Sequence, residues 1–127
     1  MSNYLLITTS LEETWESDKK ILFLGEWCKQ THRTNFWNKL DSKTQPYHWN
    51  NREKLKNDYI YSKELYSDLI NELTKDLNFY HKTNYRNRYW KIILGPWLLS
   101  FIQSVMERYE NIKQLINDET KYETIIL

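Results

Sequence analysis

KKILFLGEWC, residues 19–28, carries four consecutive apolar side chains, Ile21 to Leu24, closed off by Gly25. A strand with one wet face alternates apolar and polar positions. A continuous run instead marks a strand covered on both faces, as in a parallel α/β sheet. A similar run stands upstream, Leu5, Leu6 and Ile7, trailing into Thr8, Thr9 and Ser10. Between the two, Ser10 and Glu13 have capping-box spacing, which predicts a short helix from Leu11 to about Ser17. Strand, helix, strand is the βαβ pattern, and it places strands at about 4–9 and 21–25.

Downstream, Thr31 to Asn51 is polar and aromatic with Pro46 inside it, read as a helical turn around Asn35–Leu40 and then a loop through Tyr47, His48 and Trp49. Leu55, Tyr59, Tyr66, Leu69, Leu73, Leu77 and Tyr80 then recur at helical spacing, with no Gly or Pro between Asn51 and Lys82. This predicts a helix at about 51–81, capped by Asn50 or Asn51 with Glu53 in its first turn. A second helix is predicted at about 86–116, apolar nearly all round between Tyr89 and Met106, with a kink or break at Gly95-Pro96. Asn117-Asp118-Glu119 should stop it, and a third strand follows at about 122–127. The expected architecture is α/β, the start of a Rossmann-like parallel sheet with two long helices. A buried-type strand at the end has nothing to cover it. Either that strand pairs at a sheet edge, or the next element of a longer protein is missing; on the second, favoured reading the 127 residues are a single α/β segment, the N-terminal part of a larger protein.

Composition excludes several functions. Two glycines leave no room for a dinucleotide fingerprint or a P-loop. Eighteen Lys+Arg against seventeen Asp+Glu, a net charge of +1, give no general pull on nucleic acid, so none is expected as a partner. A single cysteine allows no internal disulfide, which fits a cytoplasmic setting. The start of the chain has no signal-peptide pattern, and Ile92 to Met106 falls short of a membrane span. That apolar stretch is read as a buried helix, with an interfacial helix as the alternative and the Trp97–Phe101 stripe as core. Alanine is absent and aromatics reach 16%, so the core is built from large rings whose N–H and O–H groups need polar partners.

Ligands of open α/β sheets bind beyond the carboxyl ends of the strands. Thr9 and Ser10 lie there after the first strand; Gly25, Glu26, Trp27 and Cys28 lie there after the second. Glu26 is a candidate base or polar contact with Trp27 as a wall; the plain alternative is a solvated carboxylate beside a core indole. The loop Pro46 to Arg52 concentrates His48, Trp49 and Arg52, suited to a sugar or a base, or simply to packing where the long helix begins. Arg88, in a basic-aromatic cluster with Arg86, Tyr89, Trp90 and Lys91, can hold phosphate; alternatively Trp90 is core and the cations coat the helix start. Cys28 reads more simply as a small buried hydrophobe than as a nucleophile. The scattered histidines match no metal-binding spacing, so no metal site is expected. Glu26 and His48 are the catalytic candidates: an unperturbed histidine titrates near neutral pH, whereas a glutamate needs burial to serve as a base there. Thr9, Ser10, Gly25, Trp27, Trp49, Arg52 and Arg88 are the substrate-binding candidates.

ILFLGEWC at 21–28, PYHWNNREKL at 46–55 and RYWKIILGPWL at 88–98, with LLITTSLEETW at the start, together resemble the N-terminal part of a family of transferases associated with O-antigen and other bacterial surface-polysaccharide loci. Members are longer than this chain. The resemblance implies a two-domain, glycosyltransferase-like enzyme whose N-terminal half faces a carbohydrate or lipid-linked acceptor. A sugar-nucleotide donor is implied for the missing C-terminal domain, with no cofactor in this segment. It implies a cytoplasmic protein with a peripheral place at the inner membrane face, and a segment inactive by itself. The rival expectation is a non-catalytic interaction module that docks a partner domain or subunit through its aromatic surface.

Overall fold

A computed structural model describes residues 3–16, 18–116 and 120–126. Ser17, residues 117–119 and Leu127, which carry the predicted end of the first helix, the predicted helix stop and the end of the last strand, lie outside the described residues. The first of two compact units comprises residues 1–50 and 110–127; the second comprises residues 51–109.

The first unit holds a sheet of four short strands, β1 (Asn3–Ile7), β2 (Ile21–Phe23), β3 (Ser42–Thr44) and β4 (Lys121–Glu123). Their order is β3-β2-β1-β4, and every neighbouring pair is parallel. The expected α/β class and the parallel pairing of the two early strands are therefore observed, with Leu5 opposite Ile21 and Ile7 opposite Phe23. β2 is buried throughout, as its unbroken apolar run requires: Ile21 and Phe23 are 0% exposed and Leu22 8%. β1 instead alternates, with Leu5 and Ile7 buried and Tyr4 and Leu6 half-buried. The order in which strands are added reverses at β1: the chain first steps outward from β1 through β2 to β3 and then returns to add β4, still parallel, on the other side of β1. That is the Rossmann-like arrangement.

Two local expectations fail. The strands are shorter than predicted, since pairing ends at Ile7 and Phe23. Among the described residues between them stands a 3-10 turn, Glu12–Thr14, where a helix from Leu11 to about Ser17 was expected. The Ser10–Glu13 capping box does not form: Leu11 occupies the N-cap position with no side-chain cap. Threonine side chains compete locally instead. Leu11 N–H donates to Thr9 Oγ1, and the Thr14 hydroxyl donates to Leu11 O at 2.7 Å. β3 was not predicted. Its side chains are polar, and it is held by backbone bonds such as Ile21 N–H to Asp41 O and Gln45 N–H to Phe23 O. The predicted turn around Asn35–Leu40 is a short helix, α1 (Thr34–Trp37). The expectation that large rings find polar partners holds at Trp37, whose Nε1 donates to Gln30 O at 3.0 Å, and fails at the buried Trp15, whose Nε1 has no partner among the described residues.

The second unit contains α2 (Arg52–His81) and α3 (Asn87–Ile116) up to Tyr109, both matching the predicted spans. Asn51 caps α2, its side chain accepting from Glu53 N–H and Lys54 N–H. Lys82 adopts the left-handed conformation that closes it, φ 55°. Asn78 then orders the turn into α3: its Oδ1 accepts from Tyr85 N–H and from Trp90 Nε1, and its Nδ2 donates to Tyr85 O. Ile70, Leu98 and Ile102 form the core, packed by Leu65, Tyr66 and Leu69 among others; each such burial stabilises by about 1.5–3 kcal/mol.

α3 runs without a break through Pro96. Only its Leu98 and Ile102 side is buried. Trp97 and Phe101, read from sequence as core, are 58% and 51% exposed, and Ile92 is 69% exposed, so the buried-helix reading fails for that face. Within this unit α3 has one apolar partner face, that of α2, so its other side meets solvent. Among the described residues no helix is long and apolar enough to cross a membrane.

Candidate functional site

Because β1, β2 and β3 run parallel, the segments leaving them emerge at one edge of the sheet. Beyond β2 and β3 that edge opens into a cleft of about 540 Å³. Gly25, Glu26 and Trp27 form one side, and Gln45, Tyr47 and Asn50 the other. Asn111, from the part of α3 that belongs to the sheet unit, completes the lining.

Each wall has a local cause. Gly25 is extended at φ −174° and ψ 172°, a conformation open to any residue; what singles it out is space, because the Trp27 indole lies where a Cβ at residue 25 would stand. A 3-10 turn, Glu26–Cys28, then raises Glu26 to the surface and sinks Cys28 into the core. Cys28 is 0% exposed, with its Sγ 3.4 Å from Ile7 O, as the small-hydrophobe reading expects. On the opposite wall Gln45 is fixed twice, by its backbone to Phe23 O and by Nε2 donating to Gln114 Oε1 at 2.8 Å. A further 3-10 turn, His48–Asn50, carries Asn50 to the cleft and His48 inward.

Glu26 is 78% exposed at its side chain and ion-paired with Lys29 Nζ at 2.8 Å. The burial that a basic role for this carboxylate requires is absent, and its geometry is that of an oriented acceptor at the rim. His48, by contrast, is 5% exposed. Its Nδ1 lies 3.0 Å from Asn111 Oδ1, a residue 1% exposed. An amide oxygen only accepts, so this contact calls for a proton on His48 Nδ1. Among the described residues, neither His48 Nε2 nor Asn111 Nδ2 has a hydrogen-bond partner. Tyr47 and Trp49 pack against the imidazole and against each other, with ring centroids 4.8 and 4.7 Å from that of His48 and 5.8 Å apart.

The other candidates lie elsewhere. Thr9 belongs to a separate cleft of about 290 Å³ beyond β1 and β4, with Thr8, Thr14 and Thr124. Ser10 is half-buried beside it in sequence and lines neither cleft. The edge at which Thr9, Ser10 and Glu26 were expected to meet thus holds two hollows, one with Glu26 and one with Thr9, and Ser10 lines neither. Arg52 and Arg88 belong to the helical unit, each exposed in the first turn of its helix. Trp90 is core, 7% exposed, as the plain alternative had it. Sequence reasoning missed Asn111, Gln45 and Asn50. Asn50 was within reach, since it sits in the polar-aromatic loop already singled out; a helical asparagine such as Asn111 carries no signal in an Asn-rich chain.

Compared with known protein families, residues 4–127 match the family described as LIC12162 family transferase. No curated protein and no solved structure matches the chain significantly.

Proposed function

The chain belongs to the LIC12162 family of transferases, and from that premise we propose that it is the N-terminal, acceptor-side part of a glycosyltransferase-like enzyme of bacterial surface-polysaccharide or O-antigen biosynthesis. The observation that supports this most is the cleft at the carboxyl edge of the parallel sheet. Its groups are amides, one carboxylate and aromatic rings: Gln45, Asn50 and Asn111, Glu26, Trp27 and Tyr47. Amides and carboxylates pair with hydroxyls, and aromatic faces pack against the C–H faces of sugar rings. Glycine-rich phosphate cradles are absent from the sequence, in keeping with a donor nucleotide held by a further domain. On this reading the acceptor is a carbohydrate or a lipid-linked carbohydrate. The enzyme works in the cytoplasm at the inner membrane face, and this segment alone does not turn over.

The test replaces Glu26→Gln and His48→Ala, singly, in the full-length protein and measures surface glycan in cells. Loss or shortening of glycan with either variant at normal protein level is expected. Unchanged glycan with both removes the reading. A second reading, a non-catalytic module that docks a partner, has one observation in its favour: Ile93, Trp97 and Phe101 of α3 are exposed, with the two rings stacked at 5.1 Å. Normal glycan with both cleft variants, together with loss on Trp97→Ser, would favour it.

A further inference from the structure

The turn between α2 and α3 and the outward side of α3 combine two properties. The first is charge of one sign. From Leu77 to Met106 the sequence has no Asp or Glu, whereas Lys82, Arg86, Arg88 and Lys91 all fall within it. α2, by comparison, mixes five Lys+Arg with six Asp+Glu. The cationic excess is therefore concentrated at the turn and the start of α3, in a chain whose net charge is only +1. The second property is exposed apolar surface. Phe79 and Tyr80 are 88% and 79% exposed where α2 ends, and Tyr85 stacks on Tyr89 at 4.1 Å, both exposed. Tyr89, Ile93, Trp97, Phe101 and Val105 then follow at intervals of four, which aligns them along one side of the helix, and each is exposed. At 1.5 Å per residue this ridge is about 24 Å long, and no charged residue occurs from Ile92 to Met106.

Contiguous apolar side chains left in water mark a contact face, and the charge beside them selects the partner. We propose that this ridge and the adjoining turn rest on an anionic lipid surface. The rings and Ile93 enter the layer between headgroups and acyl chains, while Lys82, Arg86 and Arg88, on long flexible stems, reach the headgroup phosphates. α3 is not long and apolar enough to cross a bilayer, so it lies along the surface. Nucleic acid would engage the cations and rings but would leave Ile93 and Val105 in water. A bilayer containing anionic lipid offers the apolar layer and the negative charge together. This deepens the inner-membrane reading above and rests on it: an enzyme that takes a lipid-linked acceptor has to meet that acceptor at the bilayer.

The test sediments the full-length protein with sucrose-loaded vesicles of phosphatidylcholine, alone or mixed with phosphatidylglycerol. Binding should be at least about tenfold tighter to the anionic vesicles and should weaken as salt rises from about 0.1 M to 1 M. Arg86→Gln and Arg88→Gln should each weaken it about fivefold, the factor that ~1 kcal/mol per cation near such a surface represents. Trp97→Ser combined with Phe101→Ser should weaken it at least about tenfold with thermal unfolding unchanged, since both side chains are exposed. Brominated lipid in the anionic vesicles should quench tryptophan emission, and Trp97→Phe should remove most of that quenching. Absence of binding, equal binding to both kinds of vesicle, or binding that the ridge variants leave intact refutes the proposal. So does tighter binding of a single-stranded RNA oligonucleotide than of the anionic vesicles. Self-association abolished by Trp97→Ser, without vesicle binding, would assign the ridge to a second copy and refute it too. The outcome stays separate from the glycan assay. Glycan loss in the cleft variants without vesicle binding defeats the lipid surface alone, and vesicle binding with unchanged glycan defeats the transferase role alone.

Discussion

The indole of Trp27 lies against the Cα of Gly25, so closely that a methyl group at position 25 would overlap the face of its six-membered ring at Cζ3, Cε3 and Cη2. The backbone at Gly25 is extended and would accept any side chain; the conflict is one of volume alone. Gly25→Ala should therefore push Trp27 out of the cleft wall and cost about 1–3 kcal/mol, the usual range for overpacking. Thermal unfolding reads the cost. Tryptophan emission, compared with that of Trp27→Phe, reads the displacement, and an unchanged spectrum with unchanged stability would contradict the geometry.

A second glycine makes a sharper test. A Cβ at Gly95 would stand 2.6 Å from Tyr66 Oη, yet 3.8 Å from Tyr66 Cζ, an ordinary contact. Helix propensity favours alanine over glycine by about 1 kcal/mol, so the hydroxyl alone opposes the change. Gly95→Ala should destabilise the wild-type chain and become neutral or stabilising in a Tyr66→Phe background. A double-mutant cycle from denaturant unfolding should give a coupling of about 1–3 kcal/mol. Additive effects would show that the contact does not limit the approach of α3 to α2.

These contacts mark where the sequence is legible and where it is not. Ile21 to Leu24 announces a strand buried on both faces because only a doubly covered strand tolerates four apolar residues in a row, and the parallel sheet follows from it. Asn51 announces the start of α2 because an amide oxygen ahead of an apolar period has one common use. Ser42, Lys43 and Thr44 announce nothing: β3 pairs through its backbone, which every residue possesses. The Thr9 and Thr14 hydroxyls defeat the capping box at Ser10 through bonds that spacing does not reveal. Trp97 and Phe101 look like core because apolar character fixes a side chain's preference, while burial needs a neighbour to receive it. At the cleft, the loops that hold Glu26 and His48 could be located from the strands preceding them. Asn111 could not, since it arrives from a helix more than sixty residues away along the chain.

Asn51 itself supplies a test of the helical unit. Its Oδ1 accepts from Glu53 N–H and Lys54 N–H, each at 3.1 Å, satisfying two of the donors that open α2. Asn51→Ala should cost about 1 kcal/mol and Asn51→Asp little or nothing, because aspartate keeps the acceptor and adds a charge favourable at a helix N-terminus. Far-UV circular dichroism melts of the three proteins decide it. Equal melting of Asn51→Ala and wild type would mean that the cap is not formed in solution.

The pH response of the sheet unit should carry the mark of Glu12 and Arg33. Arg33 Nε and Nη2 donate to the two carboxylate oxygens of Glu12 at 2.7 and 2.8 Å, tying the 3-10 turn after β1 to the one at Thr31–Arg33. The hydrogen bonds from Arg33, and then its positive charge, hold the Glu12 carboxyl below the ordinary value of 4.5. A carboxyl depressed in the folded state contributes stability that is present above its unfolded pKa and is lost as pH falls through the folded one. Wild type should therefore exceed Glu12→Gln in stability at neutral pH, with the gap closing as the solution is acidified through and below the ordinary glutamate range. Arg33 is exposed and Glu12 half-buried, both within reach of solvent ions, so added salt should narrow the gap as well. A difference between the two proteins that is constant from neutral pH down to full protonation would show that the pair is not formed in solution.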